Sequence, residues 1–191
     1  KKMITTREQA QHIVDKFSVF VFDIDGVLYL HEKPIAYAAE TLLWLQNTLK
    51  KKLYFVTNNA TRLRSAILQK FATILGVPND TFQIQQFFTA ASLVADYLQA
   101  EKAKKVYLIG EGAFTHELSL RGINYVDGTK EHEHCKVDEK QFHQMFVNPP
   151  QEVRDFDAVI VGYDKNFNMY KCFYAALILQ TQCEKCKFLA G

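Results

Sequence analysis

Apolar residues occur in two alternating spacings along this chain. Short continuous runs at residues 17–22, 53–56, 106–109 and 157–161 predict strands buried on both faces, as in the middle of a parallel sheet. Between them, apolar positions recur at intervals of three and four residues. That spacing predicts amphipathic helices over residues 35–49, 62–75, 91–100, 113–120 and 169–180. Shorter strands are expected at 86–89, 123–126 and 187–190. Thr5-Thr-Arg-Glu8 reads as a capping box that opens a first helix ending near Lys16, and Gly76-Val-Pro78 stops the helix before it. Strand followed by helix, repeated, predicts an α/β chain with parallel sheets. The pattern restarts after Thr89, so two domains are expected, at residues 1–89 and 90–191. Residues 130–150, polar and rich in His and Glu, read as a loop or variable insertion.

Two strand ends carry chemistry. In Phe20-Val-Phe-Asp23-Ile-Asp25-Gly26-Val-Leu-Tyr29, an apolar run stops at two carboxylates one residue apart. Such a pair can hold a hard divalent cation, or divide the work of nucleophile and general acid/base. Gly26 lets backbone approach a phosphate without a Cβ in the way. By spacing alone, two acids capping a turn explain the same letters. The second apolar strand ends in Thr57-Asn58-Asn59, a hydroxyl and two amides before a predicted helix start, where free N–H groups favour an anion. A plain helix cap is the simpler alternative. Ligands of open α/β sheets bind at the carboxyl ends of the strands, and both clusters lie there.

Bulk properties narrow the classes. A chain that is 48% hydrophobic and 23% charged is globular, not disordered. The net charge of +2 and the scattered lysines argue against a nucleic-acid face. No run approaches the ~20 apolar residues that span a bilayer, so no membrane partner is expected. Residues 1–16 lack the apolar core of a signal peptide. Four irregularly spaced cysteines suit a reducing, cytoplasmic setting.

Together the motifs resemble the haloacid dehalogenase superfamily of phosphatases. Phe22-Asp23-Ile-Asp25-Gly26 followed by Phe55-Val-Thr57-Asn58-Asn59-Ala-Thr-Arg62 is similar to its first two motifs. The likeness is greatest to the branch of 4-nitrophenyl, phosphoglycolate and pyridoxal phosphate phosphatases. Phe88-Thr-Ala-Ala-Ser-Leu, Lys105-Val-Tyr-Leu-Ile-Gly-Glu-Gly112 and Val159-Ile-Val-Gly-Tyr-Asp164 extend it over nearly the whole chain. The resemblance implies the amino-terminal part of a parallel Rossmann-like core followed by an α/β cap domain. It also implies a Mg²⁺-dependent hydrolase of small phosphorylated metabolites acting through an aspartyl-phosphate. Asp23 would be nucleophile and metal ligand, and Asp25 general acid/base, reaching the metal through its backbone carbonyl. Thr57, Asn58 and Asn59 would hold the phosphoryl group. Residues 164–168 would face the substrate, with Asn166 standing where relatives often carry a histidine. Caps of this type often pair in relatives, so a homodimer through the cap is also implied. The family's third motif, a lysine, and its fourth, an acidic pair, have no counterpart up to Gly191. A fully active protein is therefore expected to be longer than these 191 residues.

A catalytically impaired relative that binds a ligand or partner is the second reading, and a glycosyltransferase holding its metal through Asp23 and Asp25 a third. Weaker signals are read blandly. The Cys183-x-x-Cys186 pair lacks a second pair for zinc. His132, His134, Cys135 and His143 read as a solvated loop. Gly110-Glu-Gly112 is an incomplete dinucleotide motif. Trp44 and the helical Phe and Tyr residues are expected in the core.

Overall fold

The computed structural model of the chain describes residues 6–182 and 185–191; Thr5 of the expected capping box and Cys183 of the cysteine pair lie outside them. The chain divides into two compact units. One comprises the residues up to Thr57 together with Arg64–Phe88, the other Asn58–Leu63 together with Thr89–Gly191.

The first unit opens with helix α1 (Arg7–Lys16), started by the Thr6 hydroxyl, which accepts the Gln9 N–H at 3.2 Å. Strand β1 (Val19–Asp23) leads into a small antiparallel hairpin, β2 (Tyr29–Leu30) and β3 (Lys33–Pro34). Helix α2 (Ala38–Leu43) runs on as a π-helical turn, Trp44–Thr48, before strand β4 (Lys52–Thr57). Helix α3 (Arg64–Leu75) and strand β5 (Phe87–Thr89) follow. The sheet order is β1-β4-β5, with β1 and β4 parallel and Asp23 opposite Val56. Its core is aromatic: Phe55 packs on Phe71, Phe82 and Phe87 with ring centroids 4.8, 5.1 and 4.9 Å apart. Each such pair contributes about 0.5–1.5 kcal/mol beyond area burial.

Three expectations fail in this unit. Among the described residues, β1 is covered on one face only: Phe20 and Phe22 pack on the aromatic core, while Val19, Val21 and Asp23 stand exposed, Val21 at 61%. Among the described residues β1 ends the sheet order, and the core lies on the Phe20/Phe22 side. The helix expected from residue 35 begins at Ala38, because residues 29–34 pair as a hairpin that the Ile35 N–H closes onto the Leu28 carbonyl. Trp44, expected in the core, is 42% exposed.

In the second unit helix α4 (Ala90–Ala100) is followed by β6 (Lys105–Ile109), α5 (Gly112–Leu120) and β7 (Asn124–Asp127). Next come short α6 (Gly128–Glu131), α7 (Glu139–Val147), β8 (Ala158–Val161), α8 (Met169–Gln182) and β9 (Lys187–Ala190). The four strands are all parallel, in the order β7-β6-β8-β9. Alternate residues of β6 feed opposite cores. Val106 and Leu108 pack with Ala91, Ala95 and Leu98 of α4 and Phe114 of α5. Tyr107 and Ile109 pack with Tyr174, Leu177 and Ile178 of α8. The two central strands, β6 and β8, are buried on both faces, whereas the edge strand β9 leaves Phe188 57% exposed.

Residues 130–150 are a loop only in part: 132–138 and 148–150 are irregular, but Glu139–Val147 is helix α7. Asp138 accepts the Lys140 and Gln141 N–H groups at 3.0 Å and starts α7, whose Phe142 packs on Tyr170 and Phe173. Only Phe142, Met145 and Phe146 carry its helical spacing, too few to outweigh the polar composition around them. His132 likewise is half-buried. Its Nδ1 lies 2.9 Å from the Tyr107 hydroxyl, among the rings of Tyr170 and Tyr174.

Candidate active site

The carboxylate pair is built by the end of β1. Ile24 is buried, which turns the flanking side chains of Asp23 and Asp25 outward, and both are exposed. The Ile24 N–H donates to the Val56 carbonyl at 3.1 Å and to Asp23 Oδ1 at 3.0 Å, so one oxygen of Asp23 is anchored to its own strand end. The chain then turns sharply at Gly26, whose φ of +82° lies in the left-handed region and whose N–H donates to the Tyr29 carbonyl at 2.8 Å. Nothing stands within 4 Å of where a Gly26 Cβ would sit. The glycine is therefore required by the turn itself, not by crowding.

Thr57 closes the adjacent strand, β4. Its side chain is buried and its hydroxyl donates to Asp25 Oδ2 at 2.9 Å. Two acids and a hydroxyl thus meet at the carboxyl ends of neighbouring parallel strands. The hydroxyl expected to grip a phosphoryl group is here engaged by Asp25.

The remaining residues fall elsewhere. Asn58 and Asn59 belong to the stretch that clusters with the second unit, and Asn59 Oδ1 accepts from both the N–H and the hydroxyl of Thr61 at 3.0 Å. The helix expected at residue 62 starts at Arg64, so these amides do not abut a helix start. Asn166 lies in the second unit between β8 and α8, its amide donating to Glu133 Oε1 at 2.7 Å and its N–H to Asp164 Oδ1 at 2.9 Å. Sequence reasoning passed over one group beneath this loop, in α8. Lys171, within the apolar run that forms α8, is fully buried and pairs with Asp164 at 2.7 Å. A lysine inside an otherwise apolar helix was the available signal.

The lesser motifs have structural explanations. Gly110 sits against the Phe114 ring, 3.0 Å from where its Cβ would be. Cys186 is buried, and burial first, with Asp157 adding to it, pushes its thiol up to about 11, which disfavours the thiolate that metal binding needs.

As a cation site, the β1 end offers hard oxygen donors, the Asp23 carboxylate and the Asp25 backbone carbonyl. Among the described residues no group of three or more His, Cys, Asp and Glu side chains could hold a metal ion. A cation here would be completed by phosphate or water oxygens, which suits Mg²⁺, an ion that keeps waters and uses one or two carboxylates. The residues fit that ion in chemistry.

The comparisons with known proteins decide the family. The model of the haloacid dehalogenase-like hydrolases matches residues 20–124, from the start of the Asp23 motif to the first residue of β7. The chain belongs to the haloacid dehalogenase-like hydrolases. It is related to the branch that includes NagD, 4-nitrophenylphosphatase and phosphoglycolate phosphatase. It is 34% identical to the chloroplastic phosphoglycolate phosphatase 1A of Arabidopsis thaliana, covering 96% of this chain and 48% of that protein. To the 4-nitrophenylphosphatase of Schizosaccharomyces pombe it is 28% identical, over 98% of this chain and 60% of that one. The solved structure of NagD from Escherichia coli superposes with a TM-score of 0.65 and 28% identity, covering 91% of this chain and 55% of that chain. The chain thus spans about half the length of these relatives. Among the described residues, no helix of this haloacid dehalogenase-like chain is long and apolar enough to cross a membrane.

Proposed function

We propose that the chain carries the nucleophile and the acid/base of a phosphatase that hydrolyses small phosphorylated metabolites. Phosphomonoesters of the phosphoglycolate, pyridoxal phosphate or 4-nitrophenyl phosphate type are the substrate class. The observation that carries this reading is the meeting of Asp23, Asp25 and the Thr57 hydroxyl at the ends of two adjacent parallel strands.

Asp23 attacks phosphorus through the carboxylate oxygen that its Ile24 hydrogen bond leaves unused. The bond from phosphorus to the leaving oxygen breaks, and that oxygen takes the proton held by Asp25. Because Thr57 donates to Oδ2, the proton transferred by Asp25 sits on Oδ1. Water then attacks the phosphorus of the aspartyl-phosphate and gives its proton to Asp25. The bond between phosphorus and Asp23 breaks, releasing inorganic phosphate and restoring both acids. The Thr57 hydroxyl steadies Asp25 and can turn to a phosphoryl oxygen. On the family reading, Asn58 and Asn59 are amide donors for a phosphoryl group and Asn166 is a residue of substrate choice. Asp23 and Asp25 would hold Mg²⁺. That ion, when bound, supplies charge neutralisation at the phosphoryl oxygens.

The test is trapping of the acyl-phosphate. With beryllium fluoride and Mg²⁺, ¹⁹F NMR should show a bound signal in the wild-type chain, and Asp23→Asn should remove both this signal and turnover of 4-nitrophenyl phosphate. Turnover or trapping that survives Asp23→Asn takes the nucleophile role from Asp23. A wild-type chain that binds without turnover supports the ligand-binding reading instead.

A further inference from the structure

The loop between β8 and α8 is fastened from below by charge. The Lys171 side chain is 0% exposed and the Asp164 side chain 1%. The ammonium donates to Asp164 Oδ2 at 2.7 Å and to the Asn166 carbonyl at 2.9 Å. Asp164 in turn accepts the Asn166 N–H on Oδ1 at 2.9 Å and the Phe167 N–H on its carbonyl at 3.3 Å. One buried pair therefore holds both ends of a turn whose outer side chains, Lys165, Asn166 and Phe167, all stay exposed. Asn168 locks the far side. It accepts the Lys171 N–H at 3.0 Å and donates to the carbonyls of His132 and Glu133 at 2.8 and 3.0 Å.

A surface ion pair would hold such a loop only weakly, since water screens it and competes for it. A pair withdrawn from water behaves differently. Each charge is costly to bury alone, so the partners stay together and the backbone between them keeps one shape. Apolar side chains could fill the same space, but they would not hold the Asn166 carbonyl.

We propose that Lys171 and Asp164 are positioning residues that keep the 164–168 loop preformed, so that Asn166 and Phe167 are presented to the ligand in one fixed arrangement. The ligand-facing role rests on the reading of Asn166 given under Proposed function; the fixing of the loop does not.

Asp164→Asn/Lys171→Met removes both charges at nearly constant size and avoids stranding one. Hydrogen exchange followed by NMR should then quicken about ten-fold or more at the Asn166 and Phe167 amides, with β6 and β8 unchanged. With 4-nitrophenyl phosphate, KM should rise by a factor of roughly three to ten while kcat is kept, the mark of lost positioning in binding rather than lost chemistry. Lys171→Met alone, which leaves Asp164 buried and unpaired, should lower the unfolding midpoint well below that of the double variant. Loop amides that exchange as slowly in the double variant as in the wild type would overturn the proposal. So would faster exchange spread evenly over the whole second unit, or a fall in kcat at constant KM. Absence of turnover in the wild-type chain leaves the loop proposal standing, because the exchange measurement decides the fixing of the loop by itself.

Discussion

The two sheets of this protein start from similar sequence and end in different surroundings. β1 and β8 are both nearly continuous apolar runs, yet β8 is buried on both faces and β1 on one. Around β8, helices α4, α5 and α8 supply cores on either side. Around β1, the Phe20 and Phe22 side has the aromatic core and the Val19, Val21 and Asp23 side is open. The contrast teaches that an apolar run states a capacity for burial, and that the neighbours decide how much of it is used. Asp23 lies on the open face.

The sharpest way to break the comparison lies within the first sheet. Phe55→Ala, which empties the centre of the aromatic core, should cost about 3–5 kcal/mol in urea unfolding. Val21→Thr on the bare face should change stability by less than ~0.5 kcal/mol. If the Val21 change costs as much as a core substitution, the open face is covered in solution and the contrast fails.

A smaller effect separates two kinds of glycine. A Cβ on Gly162 would stand 2.4 Å from Phe114 Cε2, so Gly162→Ala should cost about 1–3 kcal/mol through overpacking of the second unit. Phe114→Leu in the same chain should recover part of that loss. Gly26→Ala has open space but a φ of +82°, and should cost about 1–2 kcal/mol that no neighbouring truncation recovers. Equal rescue of both by trimming their neighbours would remove the distinction.

The smallest effect is set by pH. Burial holds His132 below its ordinary value, with Glu131 pulling the other way and Lys171 adding to the depression. The neutral ring is therefore favoured in the folded chain, and the unfolded chain takes up the proton first as pH falls. The stability this contributes is complete above the ordinary histidine value near 6.5 and is lost as pH drops toward the lower folded value. Because the ring is only half-buried, the slope should be a fraction of the ~1.4 kcal/mol per pH unit that one linked proton allows. Denaturant titrations between about pH 7.5 and 5.5 should show that slope in the wild type and a flatter one in His132→Gln. A slope of the opposite sign would mean that the folded ring is stabilised in its charged form.

Sequence by itself determined the α/β class, the order of the main strands and helices apart from the β2–β3 hairpin, α6 and α7, and the placing of Asp23, Asp25 and Thr57 at strand ends. Those features are local: periodicity, caps and the abrupt change from apolar to polar survive without any knowledge of neighbours. β9 was legible to the residue for that reason, and α8 to within two residues. Helix α7 was not, because three apolar positions in a polar stretch gain meaning only from Tyr170 and Phe173 opposite them. Tertiary structure alone decided that β1 has a bare face, that Trp44 is partly in solvent and that Lys171 is buried against Asp164. It also decided that the Thr57 hydroxyl meets Asp25. Burial and pairing depend on side chains that lie far apart along the chain, 32 residues apart for Asp25 and Thr57, and no local pattern encodes that encounter.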